Sequence, residues 1–268
     1  MKQNYLKDYL LVWNDEFENV KLDMSKWNLK AEMSPQNDLQ LRDDERAIKI
    51  KDGILVLTSD RLDKKTYYTN TSLTTYNRMS FQYGYLEIKA KVPFGKPAWP
   101  SFWMLSDPNY RDADTNWKSE VDIFEVFGSE TSLEANIHKW YNDGRHVAFP
   151  EKLTTRKIFK DKADAETWHT YGLLWTAESF KYLVDGEVFQ IMDITSNGNF
   201  TDDDSGMSGY HEPHYVIFNN YVYTKSYKGC ETWAKGKEAT ENDTFPINYD
   251  IDYIRLYQIP GNGKLIIY

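Results

Sequence analysis

The sequence of 268 residues predicts an all-β protein folded as a two-sheet β-sandwich. Short segments in which apolar and polar residues alternate recur along the chain, and turn residues separate them about every ten residues. Only residues 160–166 have a helical pattern, and they make about two turns. Since all-β sandwiches of this length are commonly single domains, we expect residues 1–268 to form one domain.

The first part of the chain predicts an opening strand and a hairpin. Residues 9–13 read as the strand, and residues 34–38 are turn-forming by composition. Alternating runs at residues 47–51 and 54–58 flank Asp52-Gly53, a strong short signal for a β-hairpin. We therefore expect these two runs to pair with each other.

The same alternation predicts the later strands. Residues 72–76 and 81–92 form a further pair, of which the second is one long strand. A Trp-rich strand at 99–105 and a polar loop at 107–118 lead to an acidic strand at 120–125. Other strands or hairpin-like units are expected at residues 134–140, 167–175, 180–189, 215–223 and 248–257, with an irregular stretch at 225–245 that holds Trp233.

Composition narrows the class of partner. Aromatic residues make up 16% of the chain, with 20 Tyr and 9 Trp, which suggests stacking platforms along a cleft. The net charge of −9 disfavours a polyanionic partner such as nucleic acid. Cys230 is the sole cysteine, so no internal disulfide is possible. No segment has the length and apolar character of a membrane span.

The acidic strand is the centre of the predicted site. Glu120 and Asp122 alternate with Val121 and Ile123, so the two acids share one face. Strict alternation would turn Glu125 to the other face, and we therefore expect a β-bulge at Ile123 or Phe124. The two glutamates then come to about 5 Å from each other, the separation that retaining glycosidases use between nucleophile and acid/base. Asp122 lies between them and influences their charge.

Three acids on a strand could simply face water. Trp99 and Trp103 favour a sugar site instead, because sugar C–H faces stack on indole while hydroxyls bond to carboxylates. We expect Trp99 and Trp140 to be partly exposed platforms, and Trp103 to be either platform or core. Four other tryptophans are expected to be structural: Trp13, Trp27, Trp168 and Trp175.

His138 and the aspartates of the polar loop have two interpretations each. His138 is either a partner that tunes the charge of the acids or a hydrogen-bonded strand residue. The aspartates at 107–118 lack the spacing of a calcium loop, which favours a solvated loop. We expect neither a metal site nor a cofactor.

Several motifs in the same order resemble glycoside hydrolase family 16. The resemblance covers almost the whole chain and centres on Glu120-Val-Asp122-Ile-Phe-Glu125, which is similar to the family's bulged E-x-D-x-x-E signature. Four other regions also resemble family segments: Trp99-Pro-Ser-Phe-Trp103-Met, residues 168–175, residues 182–186 and residues 252–258. The resemblance implies a β-jelly roll with an open cleft on the concave sheet. It also implies that Glu120 is the nucleophile, Asp122 its electrostatic helper and Glu125 the acid/base.

Departures from the family pattern concern the substrate. Members that act on β-1,3-glucan usually carry N-E-L-Q-Y-Y-T early and a Gly-rich segment late, whereas this chain has Asn37-Asp38-Leu39-Gln40-Leu41-Arg42 and residues 219–223 without glycine. We therefore rank an endo-β-galactosidase, acting on keratan, mucin O-glycans or algal galactan, above an endo-β-1,3(4)-glucanase. Six residues are candidates for substrate binding: Asn37, Trp99, Trp103, Trp117, His138 and Trp140.

A sugar-binding module on the same architecture is the main alternative of another class, because fold alone does not fix function. Such a module would need the tryptophans but not both glutamates, and the three acids favour an enzyme. An enzyme that cuts an external polymer must be exported. We therefore expect a monomer that is secreted, periplasmic or at the cell surface, with any signal peptide removed.

Overall fold

A computed structural model of the protein describes residues 6–32, 36–111, 116–149, 156–195, 208–232 and 234–268. Parts of the predicted turn at 34–38 and of the polar loop at 107–118, together with Trp233, lie outside the described residues. The strands in the described part of the chain are β1 (Leu10–Asp15), β2 (Asn28–Leu29), β3 (Leu39–Arg42), β4 (Ile48–Lys51), β5 (Ile54–Arg61), β6 (Tyr67–Asn70), β7 (Leu73–Thr74), β8 (Met79–Gln82), β9 (Gly84–Lys91), β10 (Ala98–Ser106), β11 (Trp117–Glu125), β12 (Ser132–Tyr141), β13 (His146–Phe149), β14 (Arg156–Lys157), β15 (His169–Trp175), β16 (Ser179–Val184), β17 (Glu187–Asp193), β18 (His214–Val222), β19 (Ile247–Gln258) and β20 (Lys264–Ile267).

Helix is scarce in the described residues, as the sequence predicts. One α-helix, α1 (Lys162–Ala165), lies within the predicted segment 160–166. Three short 3₁₀ helices span Pro108–Tyr110, Ser208–His211 and Lys228–Glu231. None of the described helices is long and apolar enough to cross a membrane.

Two sheets form the sandwich and confirm the predicted fold class. The front sheet has the strand order β13-β12-β11-β10-β18-β7-β2, and β14, β8 and β20 join it off this path. The back sheet has the order β17-β16-β15-β9-β19-β5-β6-β3, with β1 paired to β19 and β4 to β5. Among the described strands β3 and β6 pair in parallel, and the other pairings are antiparallel. Strand β11, which carries the acids, therefore lies inside the front sheet between β10 and β12.

The core lies between the sheets and fixes which way β11 faces. Val121 and Phe124 are buried in the main core cluster, where Phe124 contacts Tyr171 and Tyr249 of the back sheet at ring-centroid distances of 4.7 and 6.2 Å. Burying one such aromatic side chain contributes about 1.5–3 kcal/mol. Because these side chains point inward, the alternating residue Glu120 must point away from the core.

The predicted hairpin at residues 47–58 is confirmed, since β4 and β5 pair across Asp52 and Gly53, both with positive φ. The prediction of one long strand at residues 81–92 is wrong. The chain leaves the front sheet after β8 and enters the back sheet at β9, with φ of 58° at Tyr83 and 134° at Gly84. Residues alternate on each side of this crossing, but the core-facing positions change from odd to even, from Phe81 to Leu86. Such a change of phase does not by itself distinguish a bulge from a crossing.

Candidate active site

A β-bulge brings the three acids to one face, as predicted. On one side of β11, Asp122 pairs with Trp103 and Glu125 with Ser101. On the other side, the register with β12 also shifts between Asp122 and Glu125. Since Ser101 and Trp103 are two residues apart and share a face, their partners share it too. The extra residue of β11 is absorbed at the buried Ile123-Phe124 step.

Each glutamate receives a hydrogen bond from a tryptophan. Trp140 Nε1 donates to Glu120 Oε2 over 3.1 Å, and Trp99 Nε1 donates to Glu125 Oε1 over 2.9 Å. These bonds fix the two carboxylates in position from opposite sides of the acidic strand, because Trp140 comes from β12 and Trp99 from β10.

Asp122 is buried and belongs to a chain of hydrogen bonds. His138 lies on β12, and its Nε2 is 2.9 Å from Asp122 Oδ2. Its other ring nitrogen, Nδ1, is 2.9 Å from Nε2 of His146 on β13. The sequence left two interpretations of His138 open, and this contact favours the one in which it tunes the charge of the acids.

The environment raises the pKa values of both glutamates. Burial, together with the negative charge of Asp122, raises the pKa of Glu120 to about 7, although the charges of His138 and Lys118 oppose the rise. Burial and Asp122 also raise the pKa of Glu125 well above its ordinary value, against the opposing hydrogen bond from Trp99. A carboxyl group whose pKa is raised holds its proton to higher pH than an exposed one and is suited to act as an acid.

The pKa values of the two histidines, His138 and His146, are shifted in opposite directions. Burial by itself lowers the pKa of His138, but the hydrogen bond to Asp122 and the charges of Asp122 and Glu120 outweigh it and raise the pKa overall. Partial burial and the charge of His138 lower the pKa of His146 to about 4. Asp122 and Glu120 therefore favour the positively charged form of His138, which lies directly beside Asp122.

The predicted tryptophans occupy different environments. Trp140 is 37% exposed and suits a platform beside Glu120. Trp99 adjoins Glu125 but is only 6% exposed, because Tyr223 stacks on its ring with centroids 4.9 Å apart. The expectation that Trp99 is a partly exposed platform is therefore corrected. Trp103 is buried too, and its Nε1 donates to Asn219 Oδ1 over 2.9 Å.

Two further candidates, Trp117 and Asn37, have different surroundings from each other. Trp117 is buried and shares its face of β11 with Ser119 and Val121, which is the face opposite Glu120. Its indole lies under Lys139 Nζ at 4.7 Å, so its placement in the substrate site is corrected. Asn37 is exposed in a turn next to Asp38, which accepts hydrogen bonds from Thr224 and Ser226.

The other tryptophans were predicted to be structural. Trp27 and Trp175 are fully buried, and Trp13 packs edge-on against Trp27. Trp168 was expected to be structural and is 41% exposed on the back sheet, where Lys89 Nζ lies 5.5 Å from its ring centroid.

Three residues on the same face were missed by sequence reasoning. Glu134 pairs with Glu125, and Asn136 pairs with Asp122. His146 pairs with Trp140 across the β12–β13 hairpin. The Asn142-Asp143-Gly144 turn, with positive φ at Gly144, is the signal that could have placed His146 opposite Trp140.

One cluster of the described residues offers metal-type ligand atoms close together. Atoms of Glu120, Asp122 and His138 lie within 4.8 Å of one another. His138 Nε2 lies 2.9 Å from Asp122 Oδ2, so the two side chains form an ion pair when His138 is protonated. The three residues therefore form a charge network.

Known proteins match this chain over most of its length. The model of glycosyl hydrolases family 16 matches residues 28–254. The chain is 26% identical to the glucan endo-1,3-beta-glucosidase A1 of Niallia circulans, covering 92% of this chain and 38% of that protein. It is also 26% identical to the beta-glucanase of Rhodothermus marinus, covering 92% of this chain and 85% of that protein. This chain thus spans well under half of the first relative and most of the second.

The descriptions of two further similar proteins refer to other substrates. The keratan-sulfate endo-1,4-beta-galactosidase of Sphingobacterium multivorum is 24% identical, over 96% of this chain and 57% of that protein. A solved structure described among endo-acting O-glycanases of the human gut microbiota that initiate mucin breakdown superposes with a TM-score of 0.74 at 23% identity, covering 96% of this chain and 93% of that one. At that identity the likeness concerns the fold.

The bulged acidic strand, the two-sheet fold and the match over residues 28–254 agree with each other. The chain belongs to the glycosyl hydrolases of family 16 and is a glycoside hydrolase whose relatives are mostly endo-acting.

Proposed function

We propose that this protein is an endo-acting, retaining β-glycoside hydrolase in which Glu120 is the nucleophile and Glu125 the acid/base. The observation that carries the proposal is the bulge, which turns Glu120, Asp122 and Glu125 to one face. The raised pKa values of the two glutamates support a role in proton transfer at this site, since burial and the charge of Asp122 favour the protonated form of each.

The proposed reaction has two displacements. A Glu120 carboxylate oxygen attacks the anomeric carbon while Glu125 donates its proton to the glycosidic oxygen, so that the bond to the leaving sugar breaks and a covalent glycosyl-enzyme forms. Glu125, now a carboxylate, removes a proton from water, and the hydroxide attacks the same carbon and releases Glu120. Each displacement inverts the configuration at the anomeric carbon, so the two together leave the product with the original β configuration.

Asp122 and His138 form and break no covalent bond in this cycle and act on the glutamates through their charges. Asp122 keeps a negative charge beside both glutamates, which raises the pKa values of both. His138 bonds to Asp122, and its positive charge lowers the pKa of Glu120. The nucleophile is thus easier to ionise than it would be beside Asp122 alone.

We further propose that the substrate contains galactose. Residues 37–42 and 219–223 depart from the motifs usual in β-1,3-glucan enzymes, and a keratan-sulfate endo-1,4-beta-galactosidase is among the relatives. The partly exposed Trp140 beside Glu120 would suit the flat face of a galactosyl unit next to its axial hydroxyl. An endo-β-1,3(4)-glucanase is the second candidate, because the two relatives reported first carry glucanase names.

The location and organisation of the protein are part of the same proposal. An endo-acting enzyme meets its polymer outside the cytoplasm, so we propose secretion, the periplasm or the cell surface. We propose one catalytic domain over residues 1–268, acting as a monomer. The family match over residues 28–254 supports the single domain.

A substrate screen tests the proposal. Laminarin, mixed-linkage β-glucan, keratan sulfate, agarose, porphyran and mucin O-glycans are each incubated with the protein, and product masses are read by mass spectrometry. Oligosaccharides of several sizes from a galactose-containing polymer are expected, while products from laminarin or mixed-linkage glucan alone would favour the second candidate. Glu120→Gln serves as the matched control, because activity that persists in this variant is not due to the proposed nucleophile.

A further inference from the structure

His146 touches two of the groups that hold the proposed nucleophile. It lies at the start of β13 and pairs across the hairpin with Trp140 of β12. Its ring stacks on the indole of Trp140 with centroids 3.7 Å apart and planes inclined by 9°. Its Nε2 is 2.9 Å from Nδ1 of His138. His146 therefore contacts both Trp140, which donates a hydrogen bond to Glu120, and His138, which lies beside Asp122.

The hydrogen bonds determine which nitrogens carry protons. Nε2 of His138 faces the Asp122 carboxylate, an acceptor, so this nitrogen donates. When His138 is an imidazolium, Nδ1 also donates, and His146 Nε2 must accept. His146 is suited to that role because its pKa is lowered to about 4, which keeps it neutral where His138 is charged.

The charged groups around His138 and His146 lie on β11 and in the turn between β12 and β13. Glu120, Asp122 and Lys118 on β11 act on this region, and the two histidines act on each other. Arg145, the neighbour of His146, is bonded to Asp143 in the hairpin turn over 2.9 Å. Without an acceptor at His146, one N–H of a cationic His138 would lose its partner.

We propose that His146 is a positioning residue for the nucleophile, which accepts a hydrogen bond from cationic His138 and supports the indole of Trp140 against Glu120. Through Trp140 and through His138, both contacts act on the carboxylate of Glu120. Trp140 Nε1 donates to Glu120 Oε2, and the positive charge of His138 favours the ionised form of Glu120. The inference rests on the proposed role of Glu120 and adds a residue that does not touch the substrate.

Two substitutions separate the roles of the ring and of the acceptor nitrogen. His146→Phe keeps an aromatic ring for Trp140 and removes the acceptor, whereas His146→Gln keeps an acceptor oxygen and removes the ring. His146 is exposed at the start of its strand, so we expect both variants to fold. His169→Gln is the control, because His169 lies on the back sheet and bonds to Asp185.

The first measurement is an NMR titration of the histidine side chains in ¹⁵N-labelled protein, which is tractable because the chain has five histidines. In His146→Phe the pKa of His138 should fall by about one unit, the size expected for losing one hydrogen bond to a charged group. His146→Gln should keep the pKa of His138 near the wild-type value, as should His169→Gln. An unchanged His138 titration in His146→Phe, or an equal shift in the Phe and Gln variants, would overturn the inference.

The second measurement is the pH dependence of kcat/KM on the polymer found in the screen. Loss of the His138 charge raises the pKa of Glu120, so the acidic limb should move upward by about half a unit in His146→Phe and return toward wild type in His146→Gln. Equal losses of rate in both variants with an unmoved limb would indicate a merely structural role and contradict the inference. The NMR titration needs no substrate, so absence of activity in the wild type would refute the proposed function while the role of His146 is still decided.

Discussion

At the scale of single residues, the two tryptophans that bond to the glutamates have different surroundings. Trp140 is 37% exposed, whereas Trp99 is 6% exposed within a cluster that contains Phe127, Tyr221 and Tyr223. The same kind of hydrogen bond is therefore made by one indole open to a substrate and by another that belongs to the packing. Substitution should separate binding from stability at these two positions.

Truncation of each tryptophan gives the first prediction. Trp140→Ala should lower kcat/KM at least about tenfold by removing a sugar contact and a bond to Glu120, with little change in Tm. Trp99→Ala should lower the free energy of unfolding by about 3–5 kcal/mol, as is typical for a buried Trp, and Tm by about 10 °C. Activity assays and thermal melts measure both. Trp168→Ala, an exposed control, should change neither, and a Trp140→Ala enzyme with wild-type kinetics would remove that platform from the site.

The raised pKa of Glu125 gives a stability prediction with a definite sign. The folded protein binds the proton of Glu125 more tightly than the unfolded chain, so stability is lost as pH rises from the ordinary value near 4.5 through the folded pKa. Glu125→Gln has no proton to lose. The Tm of this variant minus that of wild type should therefore grow by a few degrees between pH 4 and pH 8, since about 1 kcal/mol corresponds to about 2–4 °C. A difference that stays constant or shrinks would show that Glu125 is ionised without cost.

The residue scale also shows what the sequence can and cannot predict. Glu120, Asp122 and Glu125 are adjacent in the chain, so their shared face follows from alternation plus one bulge. The burial of Trp99 depends on Tyr221 and Tyr223, more than a hundred positions away, and no local pattern contains that contact. His146 was missed for a different reason: its partners His138 and Trp140 are near in sequence, but their contact follows only from the register of the β12–β13 hairpin.

At the scale of elements, two irregularities position the site. The bulge in β11 turns Glu125 outward, and the crossing at Tyr83-Gly84 divides one alternating segment between two sheets. The first was predictable because a charged residue would otherwise face the core. The second leaves only a weak signal: the core-facing positions change from odd, at Met79 and Phe81, to even, at Leu86 and Ile88. A change of phase indicates a bulge within one strand as readily as a crossing between sheets.

Gly84 allows a test of that crossing. Its φ is +134°, and an added Cβ would lie 2.6 Å from the backbone oxygen of Tyr257. Gly84→Ala should therefore combine backbone strain of about 1–3 kcal/mol with a steric overlap that requires β9 or β19 to shift. We expect a fall in Tm of at least about 5 °C.

The matched control is Gly186→Ala in the β16–β17 hairpin. Gly186 also has positive φ, +78°, but nothing lies within 4 Å of its added Cβ. The control carries strain without overlap and should lose less stability than Gly84→Ala. Equal losses of Tm in the two variants would mean that the close approach to Tyr257 does not limit the crossing.

At the scale of the whole molecule, the two-sheet fold presents the acids but does not specify the polymer. The fold resembles that of a mucin O-glycanase structure with a TM-score of 0.74, and the sequence matches glucanases at 26% identity. The net charge of −9 argues against a polyanionic partner of high charge density. Both proposed activities depend on the same arrangement of Glu120, Asp122 and Glu125. The stereochemistry of the reaction tests that arrangement.

The anomeric configuration of the first product tests the central claim most directly. The polymer found in the screen is digested in an NMR tube, and the anomeric proton signals are followed before mutarotation equilibrates them. Double displacement by Glu120 and Glu125 predicts that the β-anomer appears first and the α-anomer only later, with no product from Glu120→Gln. An initial α-anomer would mean single displacement with inversion, and it would contradict the assignment of Glu120 as nucleophile.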